Sequence, residues 1–150
     1  MPLYLHFIYS FMATIGFSII FNVPKKSLFY ASITGSIGWT LYIYMSNITS
    51  SAPLSNFISA TVIGILGEIF ARIDKKPVTV FIIPGIVPLV PGYGMYLTML
   101  NIINNNFYKA AKIGSDTIFV AGAIAMGIIL VSSTAKVIKK RKIQNAASKI

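Results

Sequence analysis

Five apolar runs, each close to twenty residues long, constrain this chain more than any other feature. They extend from about Leu3 to Phe21, Leu28 to Met45, Leu54 to Ile73, Val78 to Leu100 and Thr117 to Ile138. A helix rises about 1.5 Å per residue, so about 20 apolar residues cover the ~30 Å hydrocarbon core of a bilayer. Backbone groups in lipid must be bonded internally, and the alternation of a barrel strand is missing, so the runs predict helices. Charge content agrees. Only 11% of the 150 residues are charged, whereas a soluble domain carries about a quarter, and so few charges cannot cover a water-facing surface. The expected fold is all-α: a polytopic membrane helix bundle of about five transmembrane helices, with the lipid bilayer as its solvent. The expected organisation is an integral membrane domain over 1–140 and a basic cytoplasmic tail over 141–150.

The charges that remain are one-sided. There are 13 Lys+Arg against 3 Asp+Glu, a formal +10. They fall in short clusters between apolar runs, not in a basic stripe with interleaved aromatics, which argues against nucleic acid as a partner. Lys25 and Lys26 follow the first run, Arg72, Lys75 and Lys76 follow the third, and Lys136, Lys139, Lys140, Arg141, Lys142 and Lys149 end the chain. The segment from Asn47 to Pro53 has no charge, and Asn101 to Asp116 holds only Lys109 and Lys112 among its cations. The positive-inside bias therefore predicts a multi-pass protein with its N-terminus outside and its C-terminus cytoplasmic. No Lys or Arg precedes the first run and no small-residue cleavage pattern follows it, so it reads as a permanent helix and not a signal peptide. The lack of cysteine excludes thiol catalysis, thiolate metal sites and disulfides.

Small residues recur at close-packing spacings: Ala31 and Gly35, Ser32 and Ser36, Ala60, Gly64 and Glu68, Ala123 and Gly127. Such faces let helix backbones approach, and bundle packing accounts for most of them. The segment Asn101 to Gly114 is either an ordinary outer loop or a short amphipathic helix lying on the interface. Asp116 reads as an N-terminal cap of the fifth helix. Asp74 reads as a solvated loop residue. His6, the lone histidine, reads as interfacial, with a proton relay as the alternative.

The fourth run carries the most chemistry. It reads Pro84-Gly85-Ile86-Val87-Pro88-Leu89-Val90-Pro91-Gly92-Tyr93-Gly94. Proline removes a helical hydrogen bond and clashes with the carbonyl four residues back. Three prolines and three glycines predict a broken helix, and non-helical backbone at membrane depth is tolerated where it is buried in protein or lines a cavity. Exposed carbonyls attract cations or ammonium groups, and the half-helix N-terminus after a break attracts a carboxylate. Pro84, Gly85, Pro88, Pro91, Gly92, Tyr93 and Gly94 are therefore the candidate substrate-binding residues. A purely structural kink is the alternative. Glu68 is the one carboxylate well inside an apolar run, a candidate for ion coupling; the alternative is an interfacial ion pair with Arg72 at i+4. No catalytic set, metal-ligand cluster or phosphate loop can be assembled. Neither an enzyme nor a cofactor is expected.

These motifs also resemble a known family. Gly16-Phe17, Phe21-Asn22-Val23-Pro24 and Gly35-Ser36-Ile37-Gly38 resemble the start of the C-terminal half of bacterial threonine/serine exporters, and the small subunits of their split, two-component form. Pro84, Pro88-Leu89-Val90-Pro91-Gly92 and Tyr96 resemble that family's proline-rich fourth helix. The resemblance implies ion-gradient-coupled export of amino acids (threonine or serine), or of dicarboxylates such as succinate, across a bacterial plasma membrane. It implies a larger membrane partner subunit carrying the other exporter half, and a small-molecule substrate. Five helices with an outer N-terminus also suit one half of an inverted-repeat transporter. The competing reading is a non-transporting assembly or regulatory subunit, favoured by small size and an expected scarcity of buried polar groups.

Overall fold

The structure is a computed structural model that describes the backbone of residues 2–147 and the side chains of residues 2–139. Six α-helices follow in order: α1 (Leu3–Ile20), α2 (Leu28–Thr49), α3 (Ala52–Ile73), α4 (Thr79–Ile86), α5 (Gly92–Ile103) and α6 (Phe107–Ala147). A 3-10 turn, Val87–Leu89, extends α4 toward α5. Among the described residues there is no strand.

Four residues in the connections between helices take left-handed backbone: Asn22 (φ 54°), Ser50 (φ 51°), Lys75 (φ 52°) and Asn105 (φ 57°). Three of them sit in the same cap. The amides of Val23, Lys76 and Asn106 reach back to the carbonyls of Ser18, Ala71 and Asn101 at 2.9, 3.1 and 2.8 Å. This six-to-one closure satisfies a helix-end carbonyl that has no helical partner. The Phe21-Asn22-Val23-Pro24 motif is thus a helix stop, with Pro24 placed where the helix cannot continue.

Burial is inverted relative to a soluble protein. On α1 the buried residues are Ser10, Thr14 and Ser18, at i, i+4 and i+8, while Tyr4, Ile8, Met12, Ile19 and Ile20 are exposed. α2 buries Ala31, Ser32, Thr34, Gly35, Ser36 and Gly38. Large apolar side chains on the outside and small or hydroxylated ones inside are what lipid solvent selects. Helix association there comes from close packing and hydrogen bonds, because lipid tails are as apolar as leucine. The expected scarcity of buried polar groups is therefore not found. Their cost is low because most interior hydroxyls bond back to their own helix. Thr14 donates to Ser10 O at 2.7 Å, and Ser32 and Thr34 donate to Leu28 O and Tyr30 O at 2.8 Å.

The small-residue faces do the packing. A side chain on Gly35 would strike Thr14 of α1, and one on Gly38 would strike Ile63 of α3. A side chain on Gly64 would lie 3.1 Å from Val131, and one on Gly127 would lie 2.8 Å from the Phe57 carbonyl oxygen. Positions along α3 and α6 rise together in these contacts, so the two helices run parallel. The intervening α4–α5 segment must then carry the chain back to the end where α3 began.

Three helices among the described residues are long and apolar enough to cross a membrane: Leu3–Ile20, Ala52–Ile73 and Phe107–Lys139. The α4–α5 pair makes a fourth if counted as one bent span. The expected count of five is not reached on this criterion. α2 spans 22 residues but spends its inner face on serine, threonine and glycine, which lowers its hydropathy. Two other expectations change. Asn101 to Gly114 is neither a loop nor a separate surface helix: its two ends continue α5 and α6, around a turn at Asn104–Asn106. Asp116 therefore lies inside α6, exposed, and caps nothing. The expected tail, 141–150, begins inside the backbone of α6, which runs to Ala147; its side chains and residues 148–150 lie outside the described residues.

Candidate functional site

The break in the fourth run lies later than the first proline. Pro84 stays within α4, fully buried. The missing amide costs the helix its bond to Val80 O, but packing on both sides holds the helix. From Val87 the chain tightens: the Val87 amide bonds to Pro84 O and the Val90 amide to Val87 O at 3.2 Å. These are i to i+3 bonds, so Pro88 opens a 3-10 turn instead of leaving carbonyls free. Pro91 then has φ −76° and ψ 54°, and the Gly92 amide folds back on Val90 O at 2.7 Å. That is an inverse γ-turn. Across it the two helical halves bend by 53°.

The candidate residues consequently face two directions. Pro84 and Gly85 point into the bundle. A side chain on Gly85 would lie 3.1 Å from Thr34 and 3.5 Å from Ile63, so this glycine brings α4 close to α2 and α3. Leu89 is buried with Ala60, Ile63 and Ile124, and Pro88 beside it is half-buried. Gly92 has open space where a side chain would begin, and Tyr93 is 76% exposed. Gly94 abuts Thr117 of α6. The first turn of α5 spends two of its amides locally, Gly92 on Val90 O and Met95 on Pro91 O at 3.1 Å. Those of Tyr93 and Gly94 have no acceptor within the helix.

Two clefts open at the opposite end of the α4 limb. One, of about 170 Å³, lies between Asn22, Val23 and Pro24 on one side and Thr79, Val80 and Pro84 on the other. Val80, whose carbonyl loses its helical donor to Pro84, is part of its wall. The other, of about 700 Å³, is lined by Glu68, Arg72, Lys76, Lys136 and Lys139 with Ala71 and Val78. Glu68 sits here and not at the break. Its Oε2 is 3.7 Å from Arg72 Nη2, with the glutamate side chain 22% and the arginine 63% exposed. The expected i, i+4 pair is present, half in solvent, where such pairs contribute little. Asp74 is not simply solvated. It is half-buried and accepts a hydrogen bond from the fully buried Ser27 hydroxyl, which ties the turn after α1 to the turn after α3. With Lys76, Lys136 and Lys139 on one cleft, the cationic regions gather at one end of the bundle.

The polar interior has a weak sequence signal, because neutral hydroxyls bring neither charge nor a backbone break. Ser10, Thr14 and Ser18 did carry a signal: small hydroxylated residues four apart in an otherwise large apolar run. Four buried side-chain atoms among the described residues have no hydrogen-bond partner: Ser18 Oγ, Thr40 Oγ1, Asn56 Oδ1 and Ser59 Oγ. No group of His, Cys, Asp or Glu among the described residues could hold a metal ion.

Comparison with known proteins adds to this geometry. The profile of a family described as "Threonine/Serine exporter, ThrE" matches residues 6–134. An uncharacterized protein of Haemophilus influenzae is 25% identical over 131 residues, covering 82% of this chain and 44% of that protein. The chain therefore spans less than half the length of this curated relative. No solved structure matches.

Proposed function

This chain belongs to the threonine/serine exporter family, and from that premise we propose that it is one half of an exporter that carries small solutes out of the cytoplasm. The solutes are small amino acids such as threonine and serine, or dicarboxylates such as succinate. The observation that carries this reading is the span broken at Val90–Pro91 and bent by 53° beside a hydroxyl-lined bundle interior. Broken spans place a half-helix N-terminus near the bilayer midplane, where transporters bind solutes. The seven break residues supply that site: Pro84 and Gly85 seat the inner limb, Pro88 and Pro91 set the bend, and Gly92, Tyr93 and Gly94 present the first turn of α5.

Gly92 and Tyr93 open to the outside of the bundle, so a second, larger membrane subunit covers them and completes the site. An odd number of crossings, five with α2 included, puts the two termini on opposite sides, and the positive-inside bias assigns the cationic C-terminal side to the cytoplasm and the N-terminus to the outside. A companion half of opposite orientation then gives the inverted pairing of such transporters. Glu68, in the basic cleft, serves ion coupling. The reading of the chain as a non-transporting subunit loses one of its two motives, the scarcity of buried polar groups, since the interior is rich in buried hydroxyls.

The test is efflux from bacterial cells loaded with labelled threonine, serine or succinate. Expression with the companion half should accelerate loss of at least one solute, and expression of either half alone should not. Accelerated loss from cells making only this chain would remove the partner from the scheme. No acceleration of any solute by the pair would remove the exporter reading.

A further inference from the structure

α3 carries a carboxamide that the bundle leaves half-bonded. Asn56 is 3% exposed. Its Nδ2 donates to Ala52 O at 2.9 Å, whereas its Oδ1 has no partner. The bond to Ala52 settles which end is which, because a flipped amide would set oxygen against oxygen. The orphan is therefore an acceptor. One turn further along, Ser59 is fully buried with its hydroxyl also unpartnered.

The direction of Asn56 follows from its stripe. Asn56, Ile63 and Gly67 stand at i, i+7 and i+11, on one face of α3. Gly67 meets Ile82 and Val78 of the α4 limb, and Ile63 lies against the positions of Gly38 and Gly85. Continued outward, the stripe puts Asn56 about 10 Å beyond Ile63 at 1.5 Å per residue. The chain from Gly85 to Pro91 climbs about as far, and Leu89 on that path packs with Ala60 and Ile63. Asn56 thus stands level with the place where the broken span leaves the α3 face.

We propose that Asn56 is a solute-binding residue, whose Oδ1 accepts a hydrogen bond from the ammonium or hydroxyl group of a small amino acid held on the inner side of the break. The inference rests on the exporter reading and narrows its substrate class. A buried acceptor needs a donor, and threonine and serine bring ammonium and hydroxyl donors. A dicarboxylate ionised at both ends brings none and would set acceptor against acceptor at Oδ1. Threonine and serine therefore bind at Asn56, and succinate does not.

Two measurements test this. In the full-length chain, carrying labelled asparagine side chains and purified together with its companion half in a membrane mimetic, the Asn56 carboxamide resonance is identified by its loss in Asn56→Leu. Threonine and serine should shift it saturably, and succinate should leave it in place. No shift with threonine, or an equal shift with succinate, would overturn the proposal. In cells whose wild-type pair exports threonine, Asn56→Leu should raise the KM for threonine at least tenfold with Tm unchanged or higher. An unchanged KM, or a loss of efflux that tracks a fall in Tm, would overturn it as well. A wild-type pair that exports nothing sinks the exporter reading alone, and the resonance then decides Asn56 by itself.

Discussion

At the scale of the residue, the left-handed turn positions are the most constrained. Asn22 holds φ 54° without being glycine. Asparagine tolerates this conformation better than other side chains with a Cβ, and a β-branched side chain does not. Asn22→Ile should lower stability by about 1–2 kcal/mol, whereas Asn22→Gly should be neutral or stabilising. Thermal unfolding of the two purified variants separates them, and equal Tm values would show the turn to be permissive. Glu68 makes a contrasting case. Its pairing with Arg72 is long and half-solvated, so Glu68→Gln should leave Tm within the scatter of the wild type. If the carboxylate couples an ion, the variant loses the dependence of efflux on the proton gradient while still moving solute down its own gradient. Retained proton dependence would return Glu68 to the role of an interfacial pair.

At the scale of the element, two glycines in the same bundle answer differently to enlargement. A side chain on Gly127 would meet the backbone of α3, 2.8 Å from Phe57 O and 3.0 Å from the Thr61 amide. Backbone cannot rotate away, so Gly127→Leu forces α3 and α6 apart and should cost at least ~1–3 kcal/mol. Gly92 has nothing within 4 Å of the corresponding point. Gly92→Leu should therefore insert and melt like the wild type, yet abolish efflux by filling space at the break that solute or the companion half requires. Efflux normalised to inserted protein, read beside Tm, distinguishes the two effects. Wild-type efflux from Gly92→Leu would reduce the break to a kink.

At the scale of the whole molecule, the Ser27–Asp74 hydrogen bond and the cleft shared by Lys76, Lys136 and Lys139 bring the cationic turns to one end. The uncharged turn at Ser50–Ser51 lies between α2 and α3, at the other end. An anionic inner leaflet favours the cationic end. Single cysteines at Lys25 and Ser50 should accordingly react with a membrane-impermeant reagent from opposite faces, Ser50→Cys in intact cells and Lys25→Cys only after lysis. Reaction of both in intact cells would mean that α2 does not cross, which its 22 residues of mixed character make a real test.

The residues by themselves determined the solvent, the helical class and the presence of a break. Run length, sparse charge and clustered Pro and Gly act locally, and lipid leaves a chain few alternatives. The sidedness of the cations was equally legible, because it is a count along the chain. Tertiary structure decided where the break falls: three prolines could each have interrupted the helix, and packing of Gly85 against Thr34 and Ile63 keeps Pro84 helical while Pro91 turns the chain. It also decided what lies inside. The spacing of Ser10, Thr14 and Ser18 hints at an inner face, but Asn56 has no such pattern, and neighbouring helices must close over all four before they are interior. Whether such a group is bonded, buried or orphaned depends on atoms contributed by distant segments, which no local pattern encodes.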